Sequence, residues 1–228
     1  MAEAKETGVP AATLVIGNYR YSSWSLRAWI ALRMAGIDFQ VERIALYQPD
    51  SKAGILKHSA AGTVPILKRD GLVLSESLAI CEYAAELALE ARLWPADRDT
   101  RAQARSVATE MHGGFPAVRQ SLPMNFGRRA KRMPTLGDDA RAQVARIESL
   151  WTGCRQRFGR GGPFLFGHFT VADAMYAPVV SRFHTYGVPL GPDARAYADA
   201  VWALPAMQEW GAEAAREPGG AAVDALLE

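Results

Sequence analysis

The hydrophobic pattern of the chain changes character near residue 95. Before this point, short apolar runs are separated by turn residues, and only some segments carry helical spacing. Beyond it we find no convincing strand, and apolar residues recur every three or four positions, which places them on one face of a helix. The clearest series is Val144, Ile147, Trp151, Cys154 and Phe158. The pattern predicts a small α/β unit followed by an all-helical unit.

The first unit combines strand, turn and helix signals. Its first apolar run is typical of a short buried strand, Asp70-Gly71 is a strong signal for a two-residue hairpin, and Gly36 is a good residue to follow a helix C-terminus. The order is therefore β-α-β-(α)-β-β-α. The predicted elements are a strand at 13–16, a helix at 25–35, a strand at 39–46, a helical turn at 52–56, strands at 64–67 and 72–74, and a helix at 77–90.

The second unit follows a linker predicted at 93–99. Thr170 precedes an apolar run and Asp173 stands three residues later, which is the pattern of a helix capping box. Pro178, inside that helix, is expected to kink it. A final helix is predicted at 204–216.

Charge and cysteine content exclude several classes of function. The formal net charge of +2 argues against strong attraction to nucleic acid or membranes, and no apolar run approaches the length of a membrane span. Cys81 and Cys154 lie far apart without CxxC spacing, which argues against a disulfide framework or a zinc site. We expect both in the core and the protein in a reducing cytoplasm. Residues 1–12 lack the apolar segment of a secretory signal.

The most informative segment is the turn Tyr21–Arg27, between the first strand and the first helix. A thioredoxin-like domain presents its reactive atom there, and redox members of that fold carry cysteines where this chain carries serines. A serine hydroxyl cannot exchange disulfides, but it can hydrogen-bond a thiolate, which lowers the pKa of a thiol. Because the thiolate is the nucleophilic form, the turn indicates chemistry on the thiol of bound glutathione rather than protein disulfide exchange.

Three short motifs, in this order and spacing, give the chain a family resemblance. They are the serine turn Ser22–Arg27, the proline turn Thr63-Val64-Pro65 and the pair Glu76-Ser77 at a helix start. With the capping box at 167–173, they resemble the soluble glutathione transferases over nearly the whole chain, and most closely the serine-type zeta class. Trp24 stands where the zeta class has a cysteine, which puts zeta-type isomerase activity in doubt.

The resemblance implies both architecture and chemistry. It implies a thioredoxin-like, glutathione-binding domain at 12–92, a linker at 93–99 and an all-helical domain at 100–228 that forms the electrophile site. Glutathione would be the co-substrate, a small electrophile the second substrate, and no metal would be needed. The family also implies a homodimer.

Within the turn, the resemblance puts Ser22 first as the hydroxyl that stabilises the thiolate, with Ser23 as the alternative. At least one of the two serines is also expected to cap the helix. We expect Ser22 to contact the sulfur and Ser23 to act mainly as the cap.

The remaining glutathione contacts follow from the other two motifs. A cis bond at Pro65 would turn the backbone of Val64 outward to pair with an extended peptide, although a proline that starts an edge strand is the ordinary explanation. Glu76 and Ser77 would hold the γ-glutamyl group at a helix N-terminus, or Ser77 is an ordinary cap. Lys57, with His58, either pairs with the glycyl carboxylate or is solvated.

The electrophile would lie among side chains of the helical domain. The sequence after His112, Gly113-Gly114-Phe115-Pro116, interrupts a helix and is either a structural kink or part of an apolar pocket. The candidates for that pocket are His112, Phe115, Met124 and Phe126. A basic cluster, Arg128, Arg129, Lys131 and Arg132, is either a solvated loop or a site for an anionic substrate.

Two readings of function remain open at this point. The first is a glutathione transferase in which a serine activates the thiol for conjugation to, or isomerisation of, an electrophile. The second is a binding module that keeps the fold with negligible turnover. A glutathione-dependent disulfide reductase is disfavoured because no cysteine stands at the helix start.

Overall fold

The structure, a computed structural model, describes residues 12–220 and 222–227, apart from the side chain of Val223. The expectation about a secretory signal therefore concerns residues that, except for residue 12, lie outside the described part. The first domain contains β1 (Ala12–Ile16), α1 (Ser23–Met34), β2 (Phe39–Arg43), α2 (Ser51–Leu56), β3 (Ile66–Arg69), β4 (Leu72–Ser75), α3 (Ser77–Leu87) and a 3-10 turn (Leu89–Ala91).

The four strands form one sheet in the order β2-β1-β3-β4. β1 pairs in parallel with β2 and antiparallel with β3, and β3 pairs antiparallel with β4. Both turn residues of the β3–β4 hairpin have positive φ, 49° at Asp70 and 83° at Gly71, as the hairpin prediction requires. The predicted element order is confirmed.

The central strand β1 is buried on both faces of the sheet. Leu14 and Ile16 belong to the main core, which includes residues of α1 and α3, whereas Val15 packs with Ile55 of α2 and Ile66 of β3 in a smaller cluster. Alternate residues of a strand point to opposite faces, so this run is apolar without interruption. Burial on both faces fixes the end of β1, from which the serine turn emerges.

The second domain is helical within the described residues. It contains α4 (Arg98–Gly113), α5 (Pro116–Ser121), α6 (Asp138–Phe158), α7 (Val171–Tyr186), α8 (Pro192–Trp202), α9 (Pro205–Arg216) and a 3-10 helix (Ala222–Leu227). Together with the sheet domain, this confirms the predicted fold class. None of the helices in the described ranges has both the length and the apolar composition needed to cross a membrane.

Several element boundaries differ from the predicted ones for local reasons. α1 begins at Ser23 rather than at 25 because Ser22 is its N-cap. α4 begins inside the predicted linker because the Asp97 carboxylate accepts a hydrogen bond from the Thr100 N–H at 2.8 Å. α3 ends at Leu87 rather than at 90 because the chain continues as the 3-10 turn. β2 ends at Arg43 rather than at 46, and α8, which starts at Pro192, was not predicted.

α7 is the central helix of the molecule. Every residue from Val171 to Tyr186 except His184 is buried, and the helix packs against α1, α3, α4 and α8. The indole of Trp151 on α6 contacts the rings of Tyr176 and Phe183 on α7. Pro178 lies inside this helix, and the kink expected there stays a prediction.

The predicted capping box of α7 is present. The Asp173 carboxylate is fully buried and accepts hydrogen bonds from the Leu165 N–H at 3.1 Å, the Thr170 N–H at 2.8 Å and the Thr170 hydroxyl at 3.0 Å. Burial raises the pKa of Asp173 to about 6, although these hydrogen bonds oppose the rise. The three donors tie the loop before α7 to its first turn.

We predict that Asp173→Ala destabilises the protein by roughly 2–4 kcal/mol at neutral pH, because it removes a charged cap and leaves two buried N–H groups without an acceptor. Urea unfolding followed by circular dichroism measures the loss. Asp193→Ala is the matched control, because Asp193 is an exposed first-turn acid of α8 and should contribute less than about 1 kcal/mol. Equal losses in the two variants would contradict the role of the capping box.

Candidate functional site

A cleft of about 590 Å³ lies between the two domains. This volume is in the usual range for sites that bind small molecules. The first domain contributes the serine turn, part of the segment after β2, α2, the proline turn and the residue before α3, and the second contributes α5, α7 and the chain between them. The lining residues are Tyr21, Ser22, Ser23, Trp24, Leu46, Tyr47, Ile55, Thr63, Val64, Glu76, Arg119, Pro123, Met124 and Arg182.

Ser22 is the N-cap of α1, which corrects the expectation that Ser23 would be the main cap. The Ser22 oxygen accepts a hydrogen bond from the Ser25 N–H at 3.4 Å, and its hydroxyl donates to the Ser25 oxygen at 2.7 Å. The Gly17 N–H also donates to the Ser25 oxygen, at 3.1 Å. Ser25 is completely buried, so this pair of hydroxyls fixes the start of α1 to the end of β1.

Ser23, the first residue of α1, is held from the other domain. The Arg182 Nη2 of α7 donates to the Ser23 hydroxyl oxygen at 3.1 Å, and the Arg182 Nη1 donates to the carbonyl oxygens of Leu122 and Arg119. Both serines are more than nine-tenths buried but line the cleft. The two hydroxyls therefore have different partners although they are adjacent in sequence.

The proline turn leaves a peptide group available on the opposite side of the cleft. The Val64–Pro65 peptide bond is cis, as expected, and Val64 lines the cleft. Within the described residues, neither the N–H nor the carbonyl of Val64 takes part in a backbone hydrogen bond. A backbone donor and acceptor in this state can pair with an extended peptide ligand, as an added strand would.

Glu76 lines the third side of the cleft, and Ser77 follows it at the start of α3, outside the lining. Glu76 is the N-cap of α3 with φ 73° and ψ 125°, a backbone conformation that non-glycine residues adopt only under strain. Its side chain is 57% exposed and its Oε2 lies 3.8 Å from the His112 Nε2. The Ser77 hydroxyl is buried and has no hydrogen-bond partner in the described protein. An unpaired hydroxyl at a helix N-terminus fits an anionic ligand group.

Positive charge surrounds the serine turn. Arg27, Arg119 and Arg182, which we call the arginine cluster, form no ion pair with a carboxylate among the described residues. Burial, reinforced by the neighbouring guanidinium groups, lowers the pKa of Arg27 to about 9 and that of Arg182 to about 10. Both groups are still cationic at neutral pH.

Trp24 contacts two members of this cluster. The Arg27 guanidinium lies 4.4 Å and the Arg119 guanidinium 5.0 Å from the centre of an indole ring of Trp24. Cation–π contact of this kind stabilises buried guanidinium groups. The side chain that replaces the zeta-class cysteine thus has a definite local role.

The structure brings some of the predicted substrate-site residues to the cleft and not others. Met124 lines it, but Phe115 packs against Tyr176 and Phe126 stacks on Trp202, so both are part of the core. His112 contacts Trp24 behind the cleft wall, where burial lowers its pKa. His112, Phe115 and Phe126 were predicted from the helix interruption alone, and none of the three lines the cleft.

Lys57 and the basic loop also lie away from the cleft lining. Lys57 is exposed at the end of α2, and His58 contacts Lys68 and Glu42. Arg128, Arg129 and Lys131 of the basic cluster border a separate cavity of about 460 Å³ together with Arg20. A contact between Lys57 and a ligand stays a prediction. No group of three or more metal-binding side chains occurs in the part of the chain that the structure describes.

Two residues of the cleft lining, Arg119 and Arg182, were not predicted from the sequence. Arg182 had a visible signal, because it is a cation in the otherwise apolar helix sequence from Val171 to Tyr186, and charged residues are rarely fully buried without a function or a partner. Arg119 had no such signal, since α5 is a short helix of mixed composition. Its place in the cleft depends on how the two domains pack.

Comparison with protein-family models gives two matches. The glutathione S-transferase N-terminal domain matches residues 21–87, and the glutathione S-transferase C-terminal domain matches residues 125–210. Together they span well over half of the chain, and they contain the serine turn, the proline turn, the Glu76-Ser77 pair and all of α7.

Individual proteins show the same similarity. Maleylacetoacetate isomerase of Rattus norvegicus is 26% identical, and the similarity covers 78% of this chain and 82% of that protein. Glutathione S-transferase Z2 of Arabidopsis thaliana is 28% identical, and the similarity covers 86% of this chain and 90% of that protein. Among solved structures, a glutathione transferase homologue from Burkholderia gl BGR1 with bound glutathione has 26% identity and a TM-score of 0.66. That similarity covers 91% of this chain and 99% of the other.

Proposed function

The chain belongs to the glutathione S-transferase family, and we propose that it binds glutathione in the interdomain cleft and joins the glutathione sulfur to a small electrophile. The observation that carries this proposal is the convergence of the serine turn, the Val64 peptide group and Glu76 on one cleft. A scaffold without turnover would need none of these to face the same space, so the site favours an enzyme over a binding module.

Glutathione fits the donors and acceptors on the first domain. Its cysteinyl backbone would pair with the N–H and carbonyl of Val64. Its γ-glutamyl carboxylate would approach the N-terminus of α3, where the Ser77 hydroxyl has no partner, and its α-ammonium group would pair with Glu76. This orientation directs the thiol toward the start of α1, where the helix dipole favours negative charge.

The chemistry that follows is nucleophilic attack by sulfur. A hydroxyl of the serine turn would donate to the sulfur and increase the fraction of thiolate. The thiolate then attacks the electrophilic carbon and forms a carbon–sulfur bond. Departure of a leaving group gives a thioether, and rotation followed by elimination of the same thiolate gives an isomer. The cleft contributes by holding both reactants close together.

We also propose that the electrophile carries a carboxylate. Arg119 lines the cleft from the second domain, pairs with no carboxylate in the described structure, and is half-buried, which lowers its pKa. A charged donor in such a place binds an anionic group strongly. The relatives include a maleylacetoacetate isomerase, but Trp24 in place of the zeta-class cysteine leaves the identity of the electrophile open.

We predict that Glu76→Ala weakens glutathione binding about ten- to a hundredfold, because a hydrogen bond to a charged group contributes about 1.5–3 kcal/mol. Isothermal titration calorimetry measures the affinity. Glu86→Ala makes the same change of charge at an exposed position of the same helix and should bind like the unaltered protein. Unchanged affinity in Glu76→Ala would show that the γ-glutamyl group binds elsewhere.

A second prediction concerns Arg119. Arg119→Met should raise KM about tenfold or more for a maleyl-type carboxylate, yet change KM for a neutral aryl halide by less than about threefold, since only the first substrate offers a charge. Arg128→Met removes the same charge outside the cleft and serves as the control. A similar change of KM for both substrates would argue against a carboxylate site at Arg119.

The homodimer and the cytoplasmic location are further proposals. Leu72 and Val73 on β4 and Leu89 after α3 are exposed apolar side chains, which a second copy would cover. We expect light scattering at micromolar concentration to give the mass of a dimer; a monomeric mass would contradict it.

The proposed location rests on the cysteines. Cys81 and Cys154 are buried and form no disulfide, which supports a reducing compartment, and fractionation of the producing cells would test this location.

A further inference from the structure

The two serines of the turn differ in whether the hydroxyl proton is free to be donated to a ligand. Ser22 accepts from the Ser25 N–H and donates its single proton to the Ser25 oxygen at 2.7 Å. That acceptor is well held, because the Ser25 side chain is completely buried and also takes the Gly17 N–H. Ser22 would have to break an internal hydrogen bond before it could donate to a ligand.

The Ser23 hydroxyl, in contrast to that of Ser22, still has its proton available. Its oxygen already accepts from the Arg182 guanidinium at 3.1 Å, and within the described residues the structure shows no acceptor for its own hydroxyl proton. A hydroxyl that accepts from a cation is also a stronger donor, because hydrogen bonds in a chain polarise one another. Since Ser23 lines the cleft, its proton is available to a ligand there.

Arg182 brings a charge that nothing in the described structure neutralises. It is 6% exposed, and its guanidinium is anchored by the Leu122 carbonyl at 2.5 Å as well as by Ser23. Its ionised neighbours are cations, and no described carboxylate is paired with it. A buried cation without a partner is unfavourable on its own, so an anion beside it is stabilised more strongly than in water.

The other charged and titratable groups around the cleft do not reverse this polarity. Among the described residues, the cleft lining contains one carboxylate, that of Glu76 at the start of α3, and it is largely exposed. The other groups are Arg119 of α5, Arg27 beside Trp24, and the phenols of Tyr21 and Tyr47. The Asp224 carboxylate lies outside the lining and accepts a hydrogen bond from the Tyr21 hydroxyl at 3.0 Å, and the His112 imidazole contacts Trp24.

We infer that Ser23 is the hydroxyl that donates to the glutathione sulfur, and that Arg182, a positioning residue from the second domain, orients and polarises it. This inference rests on the proposed function, because the sulfur must lie at the serine turn. Thiol activation is then shared between the two domains, and Ser22 serves mainly as the cap that fixes the turn. The proton of the glutathione thiol leaves to solvent. The step then requires only a hydrogen bond from Ser23 to the thiolate.

The first test compares the two serines by titrating the thiol of bound glutathione, followed through the ultraviolet absorbance of the thiolate. Ser23→Ala should raise the midpoint by about one to two pH units and lower kcat more than it weakens glutathione binding. Ser22→Ala should move the midpoint by less than about half a unit and instead lower the unfolding temperature, because it removes the helix cap. A shift in Ser22→Ala without one in Ser23→Ala would overturn the assignment.

The second test asks whether Arg182 acts through Ser23. Arg182→Met should also raise the midpoint, and the double variant Ser23→Ala/Arg182→Met should shift it by clearly less than the sum of the two single changes, since both remove the hydrogen bond between Arg182 and Ser23. Independent, additive shifts would refute the coupling, as would an unchanged midpoint in Arg182→Met. If that variant does not fold, Arg182→Lys, which keeps a charge but lacks the planar fork, enters the same cycle with the same expectation.

Failure of this inference is distinguishable from failure of the proposed function. Calorimetry with the unaltered protein shows whether glutathione binds at all. If it does not bind, the proposed function is wrong. If it binds and neither Ser23→Ala nor Arg182→Met moves the thiol titration, only the assignment of Ser23 and Arg182 is wrong.

Discussion

The position of α7 is the constraint on which the rest of the structure depends. This helix is buried along almost its whole length and contacts helices of both domains. Its position along its own axis therefore depends on contacts inside the protein. Asp173 sets it by accepting three hydrogen bonds at the first turn. Arg182 follows nine residues later, about 13 Å along the helix axis. A shift of one turn would carry its guanidinium away from Ser23, so the cap at one end of the helix maintains the Arg182–Ser23 contact at the other.

Electrostatics divides the cleft into two halves. The first domain offers neutral backbone groups and one exposed carboxylate, which suit a zwitterionic peptide. The second domain offers guanidinium groups without carboxylate partners among the described residues. In the proposed orientation the thiol ligand lies against the first half, and the guanidinium groups of the lining belong to the second, so negative charge would be stabilised where the two meet. Trp24 lies at this boundary and makes cation–π contacts with both Arg27 and Arg119.

Much of the fold followed from local signals. Glycine and proline positions, the hairpin dipeptide and the Thr170–Asp173 spacing act over a few residues, and the elements they predicted are present. The first half of the site was also predictable, since Ser22, Ser23, Val64 and Glu76 belong to short motifs. The second half was not. Arg119 and Arg182 reach the cleft only through packing between domains, and Phe115 and Phe126 showed that an apolar residue beside a helix break fills the core as readily as a pocket.

The backbone of Glu76 has a consequence for how the chain tolerates change. A non-glycine residue at φ 73° holds free energy of about 1–3 kcal/mol in its conformation, and glycine would release much of it. Glycine at this position would therefore stabilise the fold, whereas the proposed pairing with the α-ammonium group of glutathione requires the Glu76 carboxylate. A library screened only for thermal tolerance should enrich glycine at residue 76 and yield robust proteins with an impaired peptide site.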